Sequence, residues 1–491
     1  MVRLGIDYGT TNTVAVLYDR GHYPVVLHAT DTAIGPISRE VFPSIAVRDR
    51  KTGVFHFGAE AERLVARPGA EARYDVLRSL KRLIRDFSEG MLLGQDLIPG
   101  GVDPAAVLKD FLSTLRSSIV RSGFIRPGEK LEAVITWPAN ANGAQRYLTR
   151  RCFREAGFDV VGSLTEPAAA AIEFADRISH GNRADARKLS MRFCVIDLGG
   201  GTFDVSLMKM EGRDFTVIDA TGIEQLGGDD LDEILARLFL DRLDMAFDAL
   251  EPFQKILLLN HSRQQKESIS SGLVRSLTLA AEDMGLGRGL VSVSVDLFYK
   301  AATQQLGPAM EKAWELLHGK AAKEAGISLR SLDAIYLAGG SSRLPLVQEM
   351  VSRRFPRVRL VTSDKPFSAT AMGAAIHSQE AIRMQEILSR HFGVMRLADH
   401  GRQEYFDPIF AAGTPLPPRT GKAIERKLVY TPRHNIGHLR YLECAAVDQR
   451  RLPKEGVREW SDTLFPYDPC LDVGALFSAD QIEVRDDLHE M

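Results

Sequence analysis

Two stretches of this chain are written to one pattern. Residues 3–17 run through an apolar strand to Asp7, then a turn of small and hydroxyl residues, Gly9, Thr10, Thr11 and Asn12, then a second apolar strand. Residues 193–208 repeat the order with Asp197, the turn Gly199, Gly200, Gly201 and Thr202, and a return strand that opens at Phe203 and Asp204. Each reads as a β-hairpin whose loop has been stripped of bulk. The copies stand too far apart for a solenoid period. The repeat predicts two similar lobes, each opening with the same hairpin.

The sequence between and after the hairpins alternates strands and helices. Ala144 to Ala156 has apolar residues at helical spacing and stops at Gly157. Pro167 opens an alanine-rich helix over Ala168 to Ala175. Leu332 to Ala338 reads as a strand ending at Gly339, Gly340, Ser341 and Ser342, with a helix from Pro345 to Phe355. That alternation argues for an α/β architecture. The character changes near Glu386. A rigid loop at Gly413–Pro418 and short apolar runs at Leu428–Tyr430, Leu439–Val447 and Gln481–Val484 predict a small β-rich module. The expected domains are therefore residues 1–385 and 386–491.

Composition narrows the function classes. Lys plus Arg is 62 against 64 for Asp plus Glu, a net charge of −2 over 491 residues. That balance gives no global pull toward nucleic acid or an anionic membrane. Hydrophobic residues at 45% and charged residues at 26% describe a globular chain rather than a disordered one. No run approaches the ~20 apolar residues that span a bilayer, and an acid at position 7 interrupts what a secretory signal needs. The expected location is the cytoplasm. The cysteines Cys152, Cys194, Cys444 and Cys470 have no C-x-x-C spacing, so neither a disulfide framework nor a cysteine-rich zinc site is expected. His434 and His438 could sit at helical spacing, but Pro432 and Gly437 favour a loop entering a strand.

A glycine-rich turn lets backbone N–H groups approach a phosphate closely, and Thr and Ser hydroxyls add donors. An ionised Asp at the strand end cannot donate to phosphate, but it can hold magnesium through water. One such turn alone is an ordinary tight hairpin; two with matching acids point to a paired phosphate clamp. The turn at Gly339–Ser342, between a strand and a helix, suits an anion or a polar ligand, and equally an ordinary capped turn. None of these loops is a Walker A or G-x-G-x-x-G sequence.

The two hairpins, the Glu166-Pro167 turn and the Ala338–Pro345 segment resemble, in that order, the nucleotide-binding domain of the seventy-kilodalton heat-shock chaperones. The resemblance covers roughly residues 1 to 385. It implies a two-lobed actin-like α/β ATPase domain with duplicated mixed sheets, ATP or ADP with magnesium in the cleft, and a small β-rich C-terminal module without the family's helical lid. On matching positions it implies a first phosphate loop of Asp7, Gly9, Thr10, Thr11 and Asn12, and a second of Asp197, Gly199–Thr202 and Asp204. It implies Lys81 at the γ-phosphate, Glu166 near the attacking water, and magnesium held by Asp7 and Asp197 through water. Lys266 and Ser270 resemble the adenosine-contacting helix, Gly339, Gly340, Ser341, Arg343 and Asp364 the adenosine loop and its surroundings, and Gly227 and Gly228 are implied as further nucleotide-binding positions. Pro138 and Arg146 fall where the family couples nucleotide state to its partner domain.

The chain departs from the family at three places. Arg263 stands where the adenosine helix usually has Glu. Gly162 stands where bacterial members carry an Arg used by J-domain co-chaperones. The acid-terminated apolar linker is not recognisable near His391–Arg396. These departures argue against standard J-domain stimulation. The expectation is a slow ATPase chaperone that couples nucleotide state to unfolded or extended peptide, or to a dedicated protein partner, served by a nucleotide-exchange factor. The alternatives are a metabolite kinase or filament-forming actin relative, or a nucleotide-sensing docking protein.

Overall fold

The computed structural model describes residues 2–32, 35–67, 69–85, 92, 101–126, 128–181, 190–379, 382–398, 403–417, 422–472 and 476–485. The chain divides into two units, Met1–Met384 and Gln385–Met491. In the first unit the duplicated motif has become a duplicated sheet. One sheet carries the strands Asp159–Thr165, Leu131–Trp137, Val2–Tyr8, Asn12–Tyr18 and Phe42–Pro43 in that order. The other carries Leu360–Thr362, Ala334–Ala338, Ser190–Leu198, Phe203–Glu211 and Asp214–Ile223 in the same arrangement, with Arg383–Gln385 added at the edge. In both, the leading strand of the hairpin pairs antiparallel with its return strand and parallel with a later strand. Asp7 and Asp197 therefore occupy equivalent ends of equivalent strands.

The helices fall where periodicity and caps put them. Asn142 caps Gly143–Glu155, its side chain accepting from Gln145 N at 2.8 Å. Pro345 opens Pro345–Arg354, and Glu166–Gly181 follows the strand that ends at Thr165. The alanine-rich face of Glu166–Gly181 meets the helix Ala369–His377 at very close range. A Cβ on Gly373 would stand 1.7 Å from Ala169 O, and one on Gly5 2.1 Å from Ala371 O. Only glycine allows either approach.

The second unit is built on a four-stranded antiparallel sheet, ordered Gln403–Phe410, His391–Ala398, Ile436–Cys444 and Arg458–Pro466. Met395, Phe406, Leu442 and Cys444 form its core. The segment His391–Arg396, where the family's linker is expected, is thus part of a strand inside this sheet. Two expected strands are not formed. Leu428–Tyr430 joins no ladder; its anchor is a side chain, with Tyr430 donating to Asp407 at 3.0 Å and lying beside Arg396. Residues 481–484 leave the turn Ala479–Gln481 and make one isolated bridge, His434 to Val484. There the Asn435 amide adds to this short pairing, accepting from Glu483 N and donating to Gln481 O, while Asn435 N donates to Glu483 O at 3.0 Å. His438 lies within Ile436–Cys444 and pairs with Asp462 at 2.6 Å. Among the described residues no group of three His, Cys, Asp or Glu side chains could hold a metal, and no helix is long and apolar enough to cross a membrane.

Gly373→Ala forces a methyl group into backbone on the facing helix, and a loss of about 3 kcal/mol in unfolding free energy is expected by denaturant titration. His28 is buried, shares a hydrogen bond of 2.8 Å with Ser118 and lies edge-on to Phe42. Burial pushes its pKa down to about 4. Because the folded value lies below the unfolded one, this stabilisation is complete above about pH 6.5 and is lost as the pH falls toward 4, up to ~3 kcal/mol in all. The stability difference between the parent and His28→Gln should shrink by that amount over this range. A difference that does not change with pH would count against the assignment.

Candidate active site

The two hairpin turns meet. A Cβ on Gly200 would stand 2.1 Å from Thr11 Oγ1, and one on Gly201 2.4 Å from Thr10 Oγ1. The second turn is gripped from behind as well. Gly228 N donates to Gly199 O at 2.9 Å and Asp229 N to Gly200 O at 2.7 Å, at the start of the helix Gly228–Asp241. Ser341 Oγ also donates to Gly199 O at 2.9 Å. Side chains then tie the lobes together across the turns. Thr11 Oγ1 and Ser79 Oγ donate to Asp229 at 3.0 and 2.5 Å, and Arg82 reaches Asp230 at 2.6 Å and Gly201 O at 2.8 Å.

Between the turns lies a cleft of about 240 Å³. Its lining brings together Asp7, Gly9, Thr10, Thr11, Asn12, Lys81, Glu166, Asp197, Gly199–Thr202, Gly228, Lys266, Ser270, Gly339, Gly340, Ser341 and Arg343. Each acid is held by a neighbouring donor. Thr136 Oγ1 donates to Asp7 at 2.7 Å and Thr370 Oγ1 to Asp197 at 3.3 Å. Gly339, at φ +81°, leaves room for Asp197, since a Cβ there would stand 2.4 Å from its Oδ1. Asp204 lies behind the turn rather than in the lining, fully buried, with Ala139 N donating to Oδ1 at 2.8 Å. Gly227 lies beneath Gly200.

The electrostatics are those of a site short of positive charge. Burial, then the charges of Asp7 and Asp204, pushes Asp197 up to about 7. Burial pushes Asp204 up to about 6, against the Ala139 N–H and Lys81. Asp7 is also raised by burial, although Lys81 and Thr136 oppose it. Glu166 is raised well above the carboxylate range by burial and by the other three acids, with Lys81 opposing. Lys81 is buried and forms an ion pair with Glu166. Burial lowers its pKa, but Glu166, Asp7 and Asp204 outweigh that and the net shift is upward. Asp7, Glu166 and Asp197 around the Lys81 ammonium, with Asp204 behind the turn, repel one another unless further cations arrive. The donor set is all oxygen and fits a hard divalent ion held through water and ligand phosphates.

Besides Asp204 and Gly227, one more expected residue is absent from the lining. Asp364 is outside the cleft lining; its side chain is 81% exposed and pairs with Arg177 at 2.9 Å. The loop turns so that Pro366 and Phe367 face the cleft in its place. The sequence motifs do not mark Arg82, Asp229, Asp232, Phe367 or Thr370. The run Gly227–Asp230 was a signal for Asp229; nothing local marked Phe367. Arg263, noted as a departure, reaches Asp229 and Asp232 at 3.4 Å each, and Lys266 reaches Asp232 at 2.5 Å. Arg146 donates to Ala139 O at 3.1 Å and stacks over Trp137, beside Pro138.

The family model for the Hsp70 protein matches residues 104–388, more than half of the chain. The chain belongs to the Hsp70 family. It is 31% identical over 388 residues to the chaperone protein HscA homolog of Burkholderia ambifaria, covering 76% of this chain and 58% of that protein. It is 29% identical over 443 residues to the HscA homolog of Acidithiobacillus ferrooxidans, covering 84% and 64%. It is 29% identical over 382 residues to the chaperone protein DnaK of Mycoplasmopsis pulmonis, covering 76% and 57%. The chain thus spans about three fifths of the length of these relatives. The two-lobed α/β unit is this family's actin-like ATPase fold, and the kinase and filament readings are not favoured.

The contact between the turns is testable without ligand. Gly200→Ala should lower the melting temperature and speed amide exchange at residues 9–12. Pairing it with Thr11→Gly should recover a coupling of about 1 kcal/mol or more, since the clash is between those two residues. Strict additivity would count against the contact.

Proposed function

We propose that this chain is an ATP-hydrolysing chaperone of the Hsp70 type, acting in the cytoplasm. The observation that carries the reading is the pair of interlocked turns, one from each lobe, enclosing Asp7, Glu166, Asp197 and Lys81 in one cleft. Backbone N–H groups and hydroxyls at residues 9–12 and 199–202 are suited to cradle the phosphates. Asp7 and Asp197 would hold magnesium through water, and the ion when bound offsets negative charge on the phosphate oxygens. Glu166 orients a water for in-line attack on the γ-phosphorus, and Asp204, which lies behind the turn, acts on the site through its charge. The water oxygen bonds to phosphorus as the bridging P–O bond breaks, giving ADP and phosphate. Lys81 stabilises the charge on the transferring phosphoryl group. The remaining nucleoside contacts fall to Lys266, Ser270, Gly339, Gly340, Ser341 and Arg343.

Nucleotide state would then set the affinity of the C-terminal β-unit for unfolded or extended peptide or a dedicated protein partner, with a nucleotide-exchange factor serving the cycle. The four-stranded sheet has Arg458–Pro466 at one edge, largely exposed, which suits strand addition by an extended chain. Gly162, on the strand Asp159–Thr165, offers no side chain for a J-domain contact.

Lys81→Ala should leave ATP binding largely intact and lower single-turnover hydrolysis about 100-fold or more. Equal single-turnover rates for variant and parent would overturn the role of Lys81. Absence of magnesium-dependent nucleotide binding by the parent in calorimetry would overturn the reading as a whole.

A further inference from the structure

We propose that Phe367 is the platform on which the base of the bound nucleotide stacks. The proposal rests on the nucleotide reading of the cleft and assigns its nucleoside end. Phe367 is the one aromatic ring among the described residues lining that cleft. It remains 38% exposed. Exposed apolar side chains are common, and exposure alone says little. The placement says more. The loop that carries Phe367 continues within one helical turn to Thr370, whose hydroxyl donates to Asp197 at 3.3 Å. One short segment therefore touches the acidic end of the cleft and presents a flat ring further along its wall. With the phosphates between the two glycine turns, the nucleoside must extend away from them, along the wall formed by Gly340, Arg343 and Phe367.

The ring is held in advance. A Cβ on Gly340 would stand 2.6 Å from Phe367 Cε1, so the ring lies against backbone that only glycine leaves open. The Arg343 guanidinium lies 5.9 Å from the ring centroid. Ser368 N and Ala369 N both donate to Lys365 O, at 3.0 and 2.9 Å, which fixes the backbone of the turn on either side of the ring. A rigid aromatic surface beside a planar cation matches the π-face of a base and loses little freedom on binding. Stacking reads the face of a base and not its hydrogen-bonding edge, so Phe367 supplies affinity for purine nucleotides without choosing between them.

The test is calorimetric titration of the full chain with three probes in magnesium buffer: ADP, GDP and inorganic tripolyphosphate. Phe367→Ala should weaken ADP and GDP alike, by between about 5-fold and about 150-fold, and leave tripolyphosphate unchanged. Phe367→Leu, which keeps apolar volume without a flat ring, should fall between the variant and the parent. Phe367→Tyr should restore affinity, and Phe367→Trp should bring a fluorescence change with ADP that tripolyphosphate does not produce. ADP affinity unchanged in both Phe367→Ala and Phe367→Leu would overturn the proposal while leaving the nucleotide site intact. Equal loss of ADP and tripolyphosphate would make the ring a structural prop and overturn it too. A parent chain that binds tripolyphosphate but neither nucleotide would overturn the nucleotide reading and this assignment with it.

Discussion

Thr10 and Thr11 occupy the space that side chains at positions 200 and 201 would need. That steric exchange governs the rest of the first unit. Two sheets built separately can face each other only if something small stands where they meet, and here glycine on one turn admits threonine on the other. The contact brings the ends of equivalent strands together, and with them Asp7 and Asp197. It also sets the charge problem of the cleft. Acids tolerable at the tip of an isolated hairpin become mutually repulsive once the hairpins are apposed and water is excluded.

The same economy of side-chain volume recurs at the base of the lobes. Gly373 against Ala169 and Gly5 against Ala371 let one helix lie almost backbone to backbone with its neighbours. Interfaces of this kind have few adjustable side chains to absorb displacement. A shift at the cleft is therefore carried by whole elements. The helix that opens at Glu166 illustrates this. Its first residue pairs with Lys81 in the cleft, and two turns on Glu173 accepts from Tyr336 on the other lobe's sheet, where Phe174 also stacks on Tyr336 at 4.5 Å. One rigid element thus links the acid at the cleft to a contact between the lobes, the physical requirement for nucleotide state to be felt as lobe position.

Much of this was legible because it was written twice. The repeat of acid, small residues and apolar strands specified two hairpins, and the family pattern supplied their partners along the first 385 residues. What was not legible depended on long-range geometry. The family resemblance implied Asp364, yet the loop directs it to Arg177 and turns Phe367 toward the cleft. Arg82 and Asp229 act across the cleft, and their partners lie far away in sequence. In the C-terminal unit, short apolar runs at 428–430 and 481–484 suggested strands, but the first is anchored by the Tyr430 side chain and the second makes one isolated bridge beside the Asn435 amide. Strand propensity records how a residue suits a pleated surface; it does not supply the neighbouring strand.

Arg263 shows how a departure from family pattern can be absorbed without emptying a site. A guanidinium replaces a carboxylate there, which in isolation would add an unpaired charge to the cleft wall. The fold places Asp229 and Asp232 beside it, and Lys266 shares Asp232. Arg263, together with Arg78, Ser79 and Arg82, outweighs the burial of Asp229 and holds its pKa below the ordinary value. Asp229 is thereby kept ionised as the acceptor for Thr11 and Ser79, the bonds that join the first lobe to the second at the turns. The guanidinium that departs from the family pattern thus reinforces the clamp between the two turns.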